Sequence, residues 1–254
     1  MDESHGRLIA ELEAPAKLTV DLRITGVRPD GYHTLEAEMV SLDLCDTVYL
    51  YESDRVEVVV VDGATDVPLG DDNLVARALR LAGRTARAVI IKRIPSQAGL
   101  GGGSADAGAV LRWAGFSDLE AAAAIGADVP FCLVGGRAQV GGIGEMVRPL
   151  PFAPITFTLL TPPIGCPTPA VYRRWDELGG PSGKNGNDLE PAALDLIPEL
   201  ARWRDQLGAA ASQTPRLAGS GSTWFVVGAF PGEGRVVAST IDAPRVCCDT
   251  EPGS

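Results

Sequence analysis

Apolar and polar residues alternate along roughly the first 60 positions of the chain, as they do in half-buried β-strands. The alternation is interrupted by a proline at residues 14–16 and by a turn-forming Arg-Pro-Asp-Gly sequence at residues 28–31. Around these interruptions, the pattern predicts strands over residues 8–13, 17–25, 39–44, 46–51 and 55–61. We therefore expect the N-terminal part of the chain to be a β-rich meander.

Signals for helices begin after residue 70. Asp72-Asn73 can cap one helix, and Ser117 with Glu120 forms the capping box of another. The pattern predicts helices over residues 74–82, 104–114, 118–125, 167–178, 189–199, 199–211 and 235–240, and strands over residues 131–134, 137–140, 155–160, 223–227 and 245–248. Because strands and helices are mixed without strict alternation, the sequence predicts an α+β fold. The prolines within residues 149–154 mark a linker between two expected lobes, residues 8–150 and 151–254.

Residues 89–111 read VIIKRIPSQAGLGGGSADAGAVL, which predicts a short strand, a glycine-rich loop and the start of a helix. Glycines let the main chain approach a ligand closely, and the first N–H groups of a helix carry a partial positive charge. This order favours a nucleotide phosphate site, in which the Ser104 hydroxyl can contact phosphate or a phosphate-bound Mg²⁺. The loop matches neither the Walker A nor the Rossmann pattern, and a purely structural turn is the alternative interpretation.

Composition narrows the possible functions. The 254 residues are 45% hydrophobic and 22% charged, as in an ordinary globular protein, and the net charge of −11 argues against nucleic acid or an anionic membrane as a partner. The five cysteines are scattered without C-x-x-C spacing, so we expect reduced and mostly buried thiols. No apolar run approaches the roughly 20 residues of a membrane span, and no signal peptide begins the chain, so we expect a cytoplasmic protein.

The glycine loop carries a family resemblance. Residues 95–105, PSQAGLGGGSA, resemble the Pro-x-x-x-Gly-Leu-Gly-Ser-Ser-Ala loop of the GHMP kinases, which include galactokinase, homoserine kinase and mevalonate kinase. Further segments resemble the branch of this family that acts on a cytidine-diphosphate-linked polyol: PAKL at 15–18, RPDGYHTL at 28–35, GADVPF at 126–131, PTPAVY at 167–172, NDLEP at 187–191 and GSGS at 219–222. The matches fall in order and span nearly the whole chain.

The resemblance implies a fold and a reaction. The fold is an N-terminal lobe like ribosomal protein S5 domain 2 and a ferredoxin-like C-terminal lobe, with the active site between them. The reaction is phosphorylation by ATP, with Mg²⁺, of the 2-hydroxyl of a cytidine-diphosphate-linked methylerythritol in the non-mevalonate isoprenoid pathway. Nucleic acid and membranes are not expected partners, and the sequence leaves the oligomeric state open.

The resemblance also assigns residues. Lys17 and Asp128 match the catalytic pair, in which the carboxylate accepts the hydroxyl proton and the lysine offsets charge. Taken alone, Lys17 could be a solvated strand lysine and Asp128 a simple helix cap. The implied ATP-binding residues are Asn73, near the adenine, and the loop residues Pro95, Ser96, Gln97, Ala98, Gly99, Leu100, Gly101, Gly102, Gly103, Ser104 and Ala105, with Ser104 also the candidate metal ligand. The implied acceptor-binding residues are Tyr32, His33, Thr168, Tyr172, Gly219 and Ser220, of which the first two and Tyr172 face the cytosine.

Four positions depart from the family pattern. Thr19 stands where the family has asparagine, Asp21 is a charge in a more apolar strand, and Ala105 and Asp106 replace the loop's second serine and an asparagine. Asp106 brings a negative charge close to the phosphates, where it could be stabilised by the helix dipole or could bind Mg²⁺. The alternative hypotheses are therefore another small-molecule GHMP kinase with an altered acceptor and a non-catalytic nucleotide-binding relic.

Overall fold

The computed structural model describes residues 6–61 and 70–243. Within these residues the chain forms ten strands and seven α-helices, and no helix is long and apolar enough to cross a bilayer. The strands are β1 (Leu8–Val27), β2 (His33–Tyr51), β3 (Glu57–Val61), β4 (Arg87–Ile91), β5 (Arg137–Gly142), β6 (Met146–Pro149), β7 (Thr156–Leu160), β8 (Arg216–Leu217), β9 (Trp224–Val227) and β10 (Arg235–Ser239). The helices are α1 (Leu74–Leu81), α2 (Gly102–Trp113), α3 (Leu119–Ile125), α4 (Val129–Val134), α5 (Thr168–Glu177), α6 (Glu190–Leu196) and α7 (Leu200–Ala211).

The strands form two sheets. The first has the order β3-β4-β2-β5-β6, with β1 paired antiparallel to β2, and the second has the order β10-β7-β9-β8. Only the β3–β4 pair is parallel among the pairings of the described strands. The predicted α+β class is confirmed. The last strand of the first sheet ends at Pro149, inside the predicted linker of residues 149–154, and the first strand of the second sheet begins at Thr156.

The N-terminal strands are longer than the sequence predicts. The predicted strands 8–13 and 17–25 are parts of β1, and 39–44 and 46–51 are parts of β2. Pro15 lacks an N–H donor, but among the described strands β1 pairs only with β2, so at Pro15 its other edge makes no ladder that a proline would break. The pairing slips between Pro15 and Lys17, and this irregularity lets the strand continue through the proline.

Two predicted elements are wrong. Residues 131–134 were expected to be a strand but belong to α4, because the Asp128 carbonyl accepts from the Cys132 N–H at 3.0 Å and Pro130 lies in the first turn. Residues 235–240 were expected to be a helix but contain β10, whose β-branched Val236 and Val237 pair with β7. Strands β6 and β8 were not predicted. The cap of α3 is Asp118, whose carboxylate accepts from the Ala121 N–H at 3.0 Å, and not the predicted Ser117. The predicted strand at residues 245–248 lies outside the described residues.

The two sheets share a hydrophobic core. Phe157 of β7 and Phe225 of β9 meet edge to face, with ring centroids 5.7 Å apart, and both belong to the cluster formed by the first sheet with α1, α2 and α4. A second cluster joins α5, α6 and α7 to the other face of the second sheet. Cys132 and Cys166 are buried free thiols and Cys45 is a half-buried one, as expected for these three cysteines. The first sheet and the second sheet therefore share packing, and neither stands as a separate core.

Helix α2 packs closely against α4 at Gly108. A Cβ atom on Gly108 would lie 2.6 Å from the carbonyl carbon of Cys132, so the backbones themselves are in contact. This contact fixes α4, and with it Asp128, relative to the glycine loop.

We expect Gly108→Ala to lower the free energy of unfolding by about 1–3 kcal/mol, because the added methyl group overpacks a backbone contact. Gly103→Ala on the same helix is the control, since its Cβ would meet only Leu74 Cδ1 at an ordinary 3.6 Å. The control should change stability by less than about 0.5 kcal/mol. Urea unfolding of the two variants measures both effects, and equal stabilities would contradict the close α2–α4 contact.

Candidate active site

A cavity of about 550 Å³ lies between β1, the glycine loop, the N-terminal ends of α2 and α4, and helix α5. Most of the residues implied by the resemblance line it: Lys17, Asn73, Pro95, Ser96, Gln97, Ala98, Gly99, Gly101, Gly102, Gly103, Ser104, Asp128, Thr168, Tyr172, Gly219 and Ser220. Leu100 and Ala105 are buried behind the loop, each 1% exposed, and support it from the core. Tyr32 and His33 do not line the cavity.

Lys17 and Asp128 are paired. The Lys17 Nζ lies 3.2 Å from Asp128 Oδ2, and the same ammonium donates to Thr19 Oγ1 at 3.1 Å. The Lys17 side chain is 6% exposed, so it is not a solvated strand lysine. Asp128 sits at the N-cap of α4 but makes no capping hydrogen bond, so its carboxylate is not used as a helix cap. The pair therefore faces the cavity, with Asp128 partly exposed to it.

Local backbone geometry places Lys17. Its N–H donates to the Leu100 carbonyl at 3.0 Å, which joins β1 to the glycine loop. A Cβ on Gly101 would lie 2.7 Å from Lys17 Cγ, and Gly101 has a φ of 68°, in the left-handed region that favours glycine. The lysine stem can pass along the loop only because residue 101 has no side chain.

The start of α2 is suited to bind an anion. Gly101 is its N-cap and provides no side-chain capping bond, so the first N–H groups of α2 are not capped by a side chain. The loop is also held from the second sheet, because the Thr223 N–H donates to the Ala98 carbonyl at 3.2 Å. These contacts hold the loop against β1 and against the start of β9.

The turn at residues 218–221 forms the opposite wall. Thr168 and Ser220 exchange a hydrogen bond between their hydroxyls at 2.8 Å. The amide of Asn187, 3% exposed, donates to the carbonyls of Leu217 and Gly219 at 2.8 and 2.7 Å and so fixes the turn. The supporting role of Asn187 was missed, although its NDLEP segment was part of the resemblance.

His33 is held by helix α5 at the edge of the cavity. Its Nε2 lies 2.8 Å from Asp176 Oδ1, and its ring centroid is 4.8 Å from that of Tyr172 and 5.6 Å from that of Trp175. Trp175 and Asp176 were not predicted, although residues three and four positions after Tyr172 share its helix face. Tyr32 is 62% exposed, and its N–H donates to Asp30 Oδ1 within the turn.

Burial and the nearby charge of Asp128 raise the pKa of Tyr172 above its ordinary value, which further favours the neutral hydroxyl that can donate a hydrogen bond. Asn73 is 4% exposed and caps α1, since its Oδ1 accepts from the Val75 N–H at 2.8 Å. Its side chain thus shapes the cavity wall while supporting the helix that follows.

Asp106 does not face the phosphate region as a lone charge. It is 2% exposed, and its Oδ2 accepts from Lys92 Nζ at 2.7 Å, while the same ammonium also donates to Asp46. Burial, reinforced by the charge of Asp46, raises the pKa of Asp106 to about 7 against the opposing effect of Lys92. For Lys92, burial lowers the pKa, but the two carboxylates outweigh it and the pKa is raised. A buried ammonium therefore balances the unusual charge at position 106.

Metal ligands drawn only from histidine, cysteine, aspartate and glutamate form no cluster of three or more in the part of the chain that the structure describes.

Gly101→Ala should displace Lys17 from Asp128 and lower the rate of the ATP-dependent phosphoryl transfer that the sequence predicts by about 100-fold. The control is Gly83→Ala, which has a similar φ of 63° but nothing within 4 Å of the added Cβ. Both variants carry backbone strain of about 1 kcal/mol, and Gly101→Ala adds the contact with Lys17, so both should lose thermal stability but only Gly101→Ala should lose rate. Steady-state kinetics and thermal unfolding measure this, and a full rate for Gly101→Ala would show that the close approach is not needed.

Comparisons with known proteins agree with this geometry. Residues 73–136 match the GHMP kinases N terminal domain. A protein of Cereibacter sphaeroides named 4-diphosphocytidyl-2-C-methyl-D-erythritol kinase is 36% identical, covering 92% of this chain and 95% of its own length. A protein of Paracoccus denitrificans with the same name is 38% identical, covering 90% of each.

Solved structures show the same likeness. A crystal structure of 4-(cytidine 5'-diphospho)-2C-methyl-D-erythritol kinase is 30% identical, has a TM-score of 0.69 and covers 91% of this chain and 98% of its own. Homoserine kinase from Cytophaga hutchinsonii, at 19% identity and a TM-score of 0.60, shares the fold. With this level of identity over nearly its whole length, the chain belongs to the GHMP kinases, in the family of the 4-diphosphocytidyl-2-C-methyl-D-erythritol kinases.

Proposed function

We propose that this ATP-dependent kinase phosphorylates the 2-hydroxyl of 4-diphosphocytidyl-2-C-methyl-D-erythritol in the non-mevalonate pathway to isoprenoid precursors. The observation that carries the proposal is the Lys17–Asp128 pair, 3.2 Å apart, which faces a cavity between the glycine loop and the aromatic face of α5. The names of the relatives indicate the same acceptor. The division of the chain into two lobes, residues 8–150 and 151–254, is also part of the proposal, and both lobes contribute residues to this cavity.

In the proposed reaction Asp128 accepts the proton of the acceptor hydroxyl as that oxygen bonds to the γ-phosphorus of ATP. The bond between the γ-phosphorus and the bridging oxygen breaks, and ADP leaves with the electron pair. Lys17 holds the carboxylate in place and offsets negative charge on the transferred group. Thr19 stands where the family has asparagine, and its Oγ1 accepts from the same ammonium. The threonine hydroxyl therefore orients Lys17.

ATP is proposed to bind with its phosphates on the glycine loop, residues 95–105, and its base near Asn73. The uncapped N–H groups at the start of α2 supply donors for the phosphate oxygens. The Ser104 hydroxyl, at the cavity wall, is an oxygen donor of the kind that Mg²⁺ prefers and is the proposed protein ligand, with the metal neutralising phosphate charge. Asp106 is a poorer ligand because Lys92 already occupies one of its oxygens.

Cytosine is proposed to lie against Tyr172, near His33 and the exposed Tyr32. Because Asp176 can only accept, the Nε2 of His33 carries the proton that they share, and a neutral ring keeps its lone pair on Nδ1. An acceptor there matches the 4-amino donor of cytosine and opposes the 4-carbonyl of uracil. The Asp176–His33 pair thus supports a preference for cytidine over uridine nucleotides.

Asp128→Asn is expected to lower kcat by about 10²- to 10⁴-fold, because it removes the proton acceptor. Asp118→Asn is the matched control at the N-cap of α3, where asparagine caps as well as aspartate and the rate should be unchanged. Turnover with ATP, Mg²⁺ and the cytidyl polyol measures both variants. If the unsubstituted protein phosphorylated a different alcohol and not the cytidyl polyol, it would be a GHMP kinase with an altered acceptor. If it bound ADP but phosphorylated no acceptor, it would be a non-catalytic nucleotide-binding relic.

Asp176→Ala should reduce the preference for CDP over UDP by about tenfold, since the tautomer of His33 is no longer fixed by a hydrogen bond to a charged group. Asp195→Ala is the control: this carboxylate is similarly exposed, at 44% against 47%, but pairs with Arg174 instead of His33. Calorimetric titration with the two nucleotides gives the ratio for each variant. An unchanged ratio in Asp176→Ala would remove Asp176 from base selection.

A further inference from the structure

A second buried charge cluster lies beneath the glycine loop, apart from the Lys17–Asp128 pair. It consists of Asp46, Lys92 and Asp106, whose side chains are 0%, 5% and 3% exposed. The Lys92 ammonium bridges the two carboxylates, at 2.7 Å from Asp106 Oδ2 and in contact with Asp46 Oδ2. We call these three residues the loop clamp.

The loop clamp joins the two ends of the glycine loop. Asp46, in β2, accepts from the N–H groups of Arg93 and Ile94, which lead into the loop. Asp106 lies on α2, which leaves the loop. Lys92 therefore connects the entry of the loop to its exit, across the loop's own base.

The clamp also touches the loop backbone directly. A Cβ on Gly102 would lie 3.1 Å from Lys92 Nζ and 3.2 Å from Ile94 Cγ2, so the ammonium sits against the first residue of α2. Lys92 and Asp106 both line the cavity from this side. The α2 N–H groups proposed to bind phosphate are thus set by what lies beneath them.

We propose that Lys92 is a positioning residue for the nucleotide. By holding Asp46 and Asp106 together, it fixes the distance between the first and last residues of the loop and therefore the direction in which the loop N–H groups point. The inference rests on the proposed binding of ATP phosphates at this loop. Buried ion pairs contribute little net stability compared with apolar side chains of similar volume, but their directional bonds restrict the backbone they join.

The test uses the full-length protein and two substitutions at one position. Lys92→Met keeps the length of the side chain and removes the charge, and Lys92→Arg keeps the charge. We expect Lys92→Met to raise the Kd for ADP and the KM for ATP by about 10- to 100-fold, with the KM for the acceptor changed less than about threefold. Lys92→Arg should recover a measurable part of the ADP affinity.

Arg112→Met is the control for loss of a buried cation, because Arg112 lies at the other end of α2 and donates to the Cys132 carbonyl. It should lower thermal stability and leave the Kd for ADP unchanged. Wild-type affinity for ADP in a folded Lys92→Met protein would overturn the proposal and leave the clamp as a structural ion pair. ADP titration needs no acceptor, so this result stays separate from a failure of the proposed reaction. That failure would appear as an unsubstituted protein that binds ADP but does not phosphorylate the acceptor.

Discussion

A buried ammonium group must be matched by oxygen acceptors, and the position of Lys17 follows from that requirement. Asp128 and Thr19 supply the acceptors, and they come from the start of α4 and from the same strand two residues on. Bringing them together requires a strand irregularity at Pro15 and Lys17 and a glycine at position 101. Much of the architecture around the cleft can be understood as support for this one charge.

The glycine loop meets a second constraint, since it must approach both β1 and the turn of the second sheet. A Cβ on Gly99 would lie 2.3 Å from the Ala218 carbonyl oxygen, and Lys17 lies against the loop at Gly101. Backbone therefore packs on backbone or on an aliphatic stem, without intervening side chains. A loop built in this way presents its N–H groups in a fixed arrangement before any ligand arrives, which lowers the entropic cost of binding.

The sequence was informative where the candidate site is built from residues that are neighbours along the chain. The glycine loop, Lys17 and Asp128 could be identified because their flanking residues form motifs, and the structure brings all three to one cavity. The sequence failed where partners are distant: the ammonium that balances Asp106 comes from Lys92, and its second carboxylate from Asp46. Short apolar runs also misled, because residues 131–134 and 235–240 suit either a strand or a helix until the neighbouring element is known.

The core shared by the two sheets has a consequence for how the molecule unfolds. Phe157 and Phe225 pack with the first sheet, and the Ile241 N–H donates to the Ser41 carbonyl at 3.0 Å, so neither sheet buries its apolar face alone. The chain should behave as one cooperative unit, in which opening the second sheet also exposes the core beneath Lys17. A substitution far from the cleft, in β7 or β9, can therefore reduce the population of molecules with an intact Lys17–Asp128 pair without touching either residue.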